Sequence, residues 1–478
     1  MKRALLLITL LLLGIGAAVS GPAQPSQTTT PWQVQPASAP VTAENLDLAE
    51  ATRLYQAGKF AEAIPKYQEA LKANPTLVAA QAGVVLANLR LDEADHALEL
   101  AKTYLSAQPN SALLMAALGR VQYRRGEIPE AEGSFIAAKK IDPKLVDTYL
   151  GLAQVYHTAL LYRRSYDQVQ KAHEIAPLNP EVQRAWLATL PRRERVKALQ
   201  AYLDNPHPDD PEEDASLHFW LEYLKATADQ PVHACKLANA VESTETKMEI
   251  LLKSATHLAG YGLLVKVNHQ NQRLLLDTGA SGILINRRAA EKAGVQRISS
   301  FQYRGIGDKG GRDAYFAVAD HIRIGELEFN DCIVTVSEKS MGLDEDGLIG
   351  ADVFSGYVVD IDIPSDKLRL TPLPKRPDDV AAKASLASEK NAESDAEEQS
   401  ESDTTAKAGA GPHTESPPSK PRQQPRDRYI APEMATWARV FRIGHDLIIP
   451  TKVNDSHSML FVIDTGAFSN IMSAKAAR

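Results

Sequence analysis

The sequence predicts a multidomain protein: an all-α solenoid, then a mainly antiparallel β lobe, then the start of a second, related lobe. Three observations carry that prediction. Prolines recur at Pro75, Pro109, Pro143 and Pro177, an interval of 34 residues, within a stretch of helical periodicity. From Leu258 the pattern changes to short strand-like runs separated by Gly, Asp and Asn turns. The phrase "LLLDTGA" that ends one of these runs returns as "FVIDTGA" near the end of the chain.

A chain of 478 residues is too long for one hydrophobic core of ordinary size, which implies several folded units. A net charge of -7, with no concentrated run of Lys and Arg, argues against a nucleic-acid partner. The first 20 residues carry a basic head (Lys2, Arg3), an apolar core (Leu5 to Leu13) and small residues (Ala18, Ser20), the pattern of a secretory signal peptide. The alternative is an uncleaved anchor, for which the apolar run is short. The mature protein is therefore expected to be exported, periplasmic or secreted, and not embedded in a membrane. Residues 21–43 are rich in Pro, Thr, Gln and Ser and read as a disordered tether.

The helical repeats run over residues 44–179. Ala63, Ala97 and Ala131 keep the 34-residue interval, as do Ala70, Ala138 and Ala172, with Tyr104 taking the alanine's place in the second unit. Small residues at fixed places let paired helices approach, and the proline ends the second helix of each pair. These stretches, "GKFAEAIPKYQEALKANP" and "GEIPEAEGSFIAAKKIDP" above all, resemble the tetratricopeptide repeat family. The resemblance implies a concave surface for a protein partner; a plain spacer or dimerisation arm is the other reading. Ser165 stands where the fourth repeat should carry alanine, so helix packing is expected to be weaker there. Residues 180–256 lose the register but stay amphipathic, and read as a helical cap and connector.

Residues 257–374 read as the β lobe, in runs such as "GYGLLVKVN", "DAYFAVADHIRI", "LEFNDCIVTVS" and "GYVVDIDI". Residues 375–428, dominated by Ser, Glu, Ala and Pro, read as a disordered linker, and residues 429–478 as the truncated start of the second lobe. Cys235 and Cys332 then fall in different domains and are expected as two buried free thiols. Cysteine-based metal sites are ruled out by that scarcity, and the twelve histidines show no paired ligand spacing, so neither a metal nor another cofactor is expected.

One Asp-Thr-Gly could be a turn that caps a strand. Two need another cause, because the likeness extends upstream: "LLVKVNHQNQRLLLDTGA" and "IIPTKVNDSHSMLFVIDTGA" share a strand, a Lys-Val-Asn entering a turn, and a second strand. A carboxylate at the end of a buried strand needs hydrogen bonds or a shared proton to compensate its desolvation, and the following Thr and Gly offer a hydroxyl and unobstructed backbone.

These motifs, with the later "DGLIGADVF", resemble the retropepsin-like aspartic proteases over residues 258–374. The fold implied is an all-α tetratricopeptide solenoid followed by a mainly antiparallel β retropepsin-like acid protease lobe and the start of a second lobe. By that resemblance Asp277 and Asp464 are the catalytic pair, Thr278 and Thr465 brace it, and Gly279 and Gly466 let the backbones approach. Ala280 and Ala467 complete the two motifs, and Leu348, Ile349 and Gly350 form the apolar-apolar-Gly element of the first half. Hydrolysis of a peptide bond by this route needs one carboxylate as base towards water and one carboxylic acid to protonate the carbonyl oxygen. The partner of Asp277 is either Asp464 of the same chain or Asp277 of a second copy. The second motif lies too near the end of the chain for a whole lobe to follow, so the sequence is expected to be a piece of a longer protein.

"GIGDKGG" formally matches a dinucleotide-binding loop, but a strand-like run follows it instead of a helix. Gly305, Ile306 and Gly307 are instead the candidate flap over an extended peptide, or an ordinary glycine turn. "GLDEDG" lacks calcium-loop spacing and reads as a solvated turn. The expected function is an exported aspartic endopeptidase acting on polypeptides, with the repeats binding protein. The alternative is a non-catalytic scaffold with protease-like lobes.

Overall fold

A computed structural model describes residues 43–205, 211–227, 233, 235–254, 257–303, 312–338, 345–378, 425–453 and 457–467. The expected signal peptide, the tether up to residue 42, the candidate flap residues Gly305, Ile306 and Gly307 and most of the acidic linker lie outside these residues.

Eight helices form four antiparallel pairs: α1 (Ala43–Gln56) with α2 (Phe60–Ala73), α3 (Val78–Arg90) with α4 (Ala94–Ala107), α5 (Ala112–Arg124) with α6 (Ile128–Ile141), and α7 (Val146–Thr158) with α8 (Tyr162–Ile175). The six spaced alanines Ala63, Ala70, Ala97, Ala131, Ala138 and Ala172 are all fully buried, as expected of residues that set how closely paired helices meet. The recurrent prolines each follow the second helix of a pair by two residues, past its last hydrogen-bonded turn. Ser165 does not loosen the fourth pair. It is buried, and its hydroxyl donates to the carbonyl of Ala153 on α7 at 2.8 Å, so the polar atom is satisfied within the helix contact.

Three helices continue the array: α9 (Pro180–Leu187), α10 (Arg192–Leu203) and α11 (Pro211–Thr227). Helices do not reach residue 256 as expected. β1 (Lys236–Leu237) and β2 (Thr244–Ser254) already belong to the β lobe, with Met248 of β2 opposite Leu263. "TETKMEILLK" contains good helix formers, but hydrogen bonds to strands on both sides outweigh that local preference.

The lobe continues with β3 (His257–Val267), β4 (Gln270–Leu276), β5 (Ile283–Asn286), α12 (Arg287–Ala293), β6 (Gln296–Tyr303), β7 (Arg312–Ile324), β8 (Leu327–Ser337), β9 (Gly347–Ile349), β10 (Tyr357–Asp362) and β11 (Lys367–Pro372). The strand order is β10-β11-β2-β3-β4-β9-β5-β8-β7-β6, with β1 on β8 and a further β3–β7 pairing that curls the sheet back on itself. Pairing is antiparallel except for β4–β9 and β5–β8. Met248, Leu263, Leu274, Leu276, Ile285, Ile322 and Val334 fill the interior. This is the mixed, mainly antiparallel β region expected after the helical array.

The two cysteines are not free thiols. Cys235 and Cys332 form a disulfide across 97 residues. The expectation failed with the helical boundary, since Cys235 immediately precedes β1, which pairs with β8, and its N–H donates to Asp331 O at 3.0 Å.

A second sheet holds β12 (Phe441–Ile443), β13 (Asp446–Val453) and β14 (His457–Val462) in a meander. The last residues ascribed to the linker, 425–428, are ordered against the array: the Arg428 N–H donates to Leu160 O at 2.8 Å, and Arg376 donates to the Asp427 carbonyl. Among the described residues, no helix is long and apolar enough to cross a membrane.

Candidate active site

Each Asp-Thr-Gly follows the end of a strand whose apolar residues anchor it. Leu274 and Leu276 on β4 are buried in the lobe interior. Within the sheet β9 runs parallel beside β4, with Leu275 opposite Leu348, and the Asp277 N–H donates to Ile349 O at 3.0 Å. Gly350 N–H donates to Gly282 O at 2.8 Å, which closes the turn after Asp277. Leu348, Ile349 and Gly350 thus support the loop that carries the first aspartate.

The second loop repeats this in miniature. The Gly279 N–H donates to Asp277 Oδ1 at 2.9 Å, and the Gly466 N–H donates to Asp464 Oδ1 at 2.8 Å. The Ala280 N–H donates to Asp277 O at 3.0 Å, and the Ala467 N–H to Asp464 O at 3.4 Å.

The two loops are joined by their threonines through four crossed hydrogen bonds. The Thr278 hydroxyl donates to Ile463 O at 2.6 Å and accepts the Thr465 N–H at 3.0 Å. Reciprocally, the Thr465 hydroxyl donates to Leu276 O at 2.7 Å and accepts the Thr278 N–H at 3.1 Å. Every backbone group in this set has its partner in the other half, so each half completes the other, with near-twofold symmetry between the partners. Thr278 is 6% exposed, so neither of its polar groups has water as a ready substitute.

This clasp brings Asp464 of the same chain to Asp277. A methyl group added to Gly466 would lie 2.7 Å from Asp277 Cγ, and one added to Gly279 would lie 3.1 Å from Asp464 Cγ. A side chain at Gly466 would force the Asp277 carboxyl to shift, and one at Gly279 would crowd Asp464, so glycine suits both places. Asp277 is half-buried and Asp464 exposed. Burial first, then the charge of Asp464 and a hydrogen bond to it, push the Asp277 carboxyl up from 3.8 to about 6, against the opposing pull of the Gly279 and Ala280 N–H groups.

Three further residues at the site were not anticipated from sequence. Asp352, two residues after Gly350, accepts the Ser281 hydroxyl and the Gly282 N–H, both at 2.8 Å, and so fixes the turn beyond Gly279. His445, between β12 and β13, donates from Nε2 to Gly279 O at 3.1 Å. Asp446 beside it is raised above the usual carboxylate range by burial and by the charge of Asp464, with His445 and Arg442 pulling the other way. Asp352 lies within "LIGADVF" and could have been noticed there. His445 had no local signal, because its contact reaches across to the other half of the site, and Asp446 is drawn to Asp464 by the folding of its own half.

Solved structures similar to parts of the chain include a thermophilic TPR protein from Thermus thermophilus, at 19% identity and a TM-score of 0.31, covering 38% of this chain and 98% of that one. Another is a tetratricopeptide repeat protein from Parabacteroides merdae, at 14% identity and a TM-score of 0.25, covering 39% of this chain and 76% of that one. No curated protein matches the sequence. Residues 263–353, which carry Asp277 and run through β9, match the family model described as aspartyl protease.

Proposed function

We propose that this chain is an exported aspartic-type endopeptidase, with Asp277 and Asp464 as its catalytic pair. The observation that carries the reading is the crossed Thr278–Thr465 clasp, which holds two carboxyls in hydrogen-bond contact at the junction of two related halves. Two carboxyls so close cannot both ionise freely, so one proton is shared between them over an acidic range. Burial and the neighbouring charge raise the proton affinity of Asp277, so it is the member assigned the proton. It donates it to the carbonyl oxygen of the scissile peptide while Asp464 takes a proton from the attacking water. The water oxygen bonds to the carbonyl carbon to give a tetrahedral diol; Asp464 then passes its proton to the amide nitrogen, the C–N bond breaks, and a diol hydroxyl returns a proton to Asp277 as the new carboxyl forms, which restores the pair.

The Cys235–Cys332 disulfide supports a site of action in an oxidising compartment, consistent with a cleaved signal at the N-terminus. The helical array would present protein substrates or partners to the lobe.

Cleavage of an unfolded polypeptide at mildly acidic pH is the test, run on the full chain beside Asp277→Asn and Asp464→Asn. Both substitutions should abolish cleavage. Equal cleavage by all three proteins would remove the assignment, and no cleavage by any of them across a broad substrate set would favour the scaffold.

A further inference from the structure

The small β12–β14 sheet that ends in Asp464 lies against the helices. Phe441 and Ile448 are buried in one cluster with Tyr123, Ile128, Phe135 and Leu152 of the third and fourth repeats, and Ile443 and Leu460 pack onto it. A three-stranded meander of this size is marginal without a surface to cover its apolar face. Here the array supplies that surface.

The contacts fall on one edge of the array, where the two helices of each pair turn into one another. The backbone at these turns is left-handed in every repeat, at Gly58, Asp92, Gly126 and Leu160, again 34 residues apart. At Gly126 a side chain would meet Leu460 at 2.7 Å, so the turn stays bare where β14 crosses it. Leu160 is a costly residue for a left-handed turn, and its repeat is the one that binds the incoming chain. Leu161 forms an antiparallel bridge with Asp427. Leu161 offers no side-chain cap to α8, and Asp427 takes that role from 263 residues away: Oδ1 accepts the Arg164 N–H at 3.1 Å, and Oδ2 pairs with Arg164 Nε at 3.0 Å. Arg428 then donates to Val440 O at 3.2 Å, which ties this anchor to the entry of β12.

We infer that the turn edge of the third and fourth repeats is a positioning surface for the second half of the active site, holding β12–β14 so that Asp464 meets Asp277. Leu460 and Asp427 are its positioning residues. They touch neither carboxyl; Leu460 lies four residues before Asp464, about 13 Å along an extended strand. The array thereby becomes part of the catalytic assembly, a role separate from recruiting partners. The catalytic consequence rests on the protease reading, but the structural one does not.

The test uses the full chain with Leu460→Asp, Leu460→Met and Asp427→Ala, following amide hydrogen exchange and cleavage kinetics together. Leu460→Asp should speed exchange in residues 441–453 roughly tenfold or more while that of α1–α4 is unchanged, and should lower kcat roughly 10- to 100-fold with KM little altered. Asp427→Ala should move both readouts the same way by a smaller factor, and Leu460→Met should restore them. Unchanged exchange in the hairpin of both Leu460→Asp and Asp427→Ala would overturn the inference. So would unchanged kcat with a released hairpin. Should the parent chain cut nothing, exchange alone still decides whether the array holds the hairpin, and the protease reading fails separately.

Discussion

Replacing Asp277 with Asn should stabilise the protein at neutral pH while destroying its proposed activity. The side chains are nearly isosteric, and an Asn oxygen can accept the same Gly279 N–H that Asp277 Oδ1 accepts now. What disappears is the ionisation of a half-buried carboxyl beside Asp464. Because its affinity for protons in the folded state is raised, from 3.8 to about 6, the folded protein holds a proton that the unfolded chain has released. Stability associated with this group is therefore full below about 3.8 and is lost as pH rises through about 6. At about 1.4 kcal/mol for each tenfold change in proton affinity, the loss has a ceiling of about 3 kcal/mol. Solvent beside the exposed Asp464 reduces it to roughly half. The Asn variant escapes this loss, so its urea midpoint at neutral pH should rise, with a melting temperature about 3–6 °C higher for the β lobe. The gain should vanish when the same comparison is made at about pH 3.5. An Asn variant no more stable than the parent at neutral pH, or one whose advantage persists in acid, would refute the reasoning.

Thr278→Val keeps the shape but leaves Ile463 O and the Thr465 N–H without partners; a loss of roughly 2–5 kcal/mol and a large fall in kcat are expected, with Thr278→Ser recovering most of both, measured by urea unfolding and cleavage kinetics. Cys235→Ala opens a loop of 97 residues and should cost roughly 2–5 kcal/mol under oxidising conditions; added reductant should lower the stability of the parent but leave the variant unmoved, and equal stability of the two without reductant would count against the bridge.

Much of the architecture was legible because its signals are local and periodic. The alanines and prolines at 34-residue spacing report helix pairs that touch mainly their neighbours, so the repeat pattern and the contact pattern coincide. The two aspartates were legible because each sits in a motif whose parts are adjacent in sequence. Misreadings arose where a distant strand decided the outcome. Thr244–Ser254 is a strand because β3 and β11 flank it, and Cys235 meets Cys332 because β1 lies on β8. Ser165 looked like a defect, yet the carbonyl that satisfies it belongs to the preceding helix.

The sequence alone established the helical array, the β lobe after it and two matched carboxylate loops, since periodicity and short motifs are properties of neighbouring residues. It offered two partners for Asp277 and could not choose between them. Only the tertiary structure brought Asp464 of the same chain to it, through four threonine bonds that span more than 180 residues each. Only the tertiary structure, too, placed β14 on the turn at Gly126 and residues 427–428 on the turn at Leu160. Such pairings depend on shape and hydrogen-bond complementarity between surfaces far apart in the chain, and no local pattern encodes which surface will meet which.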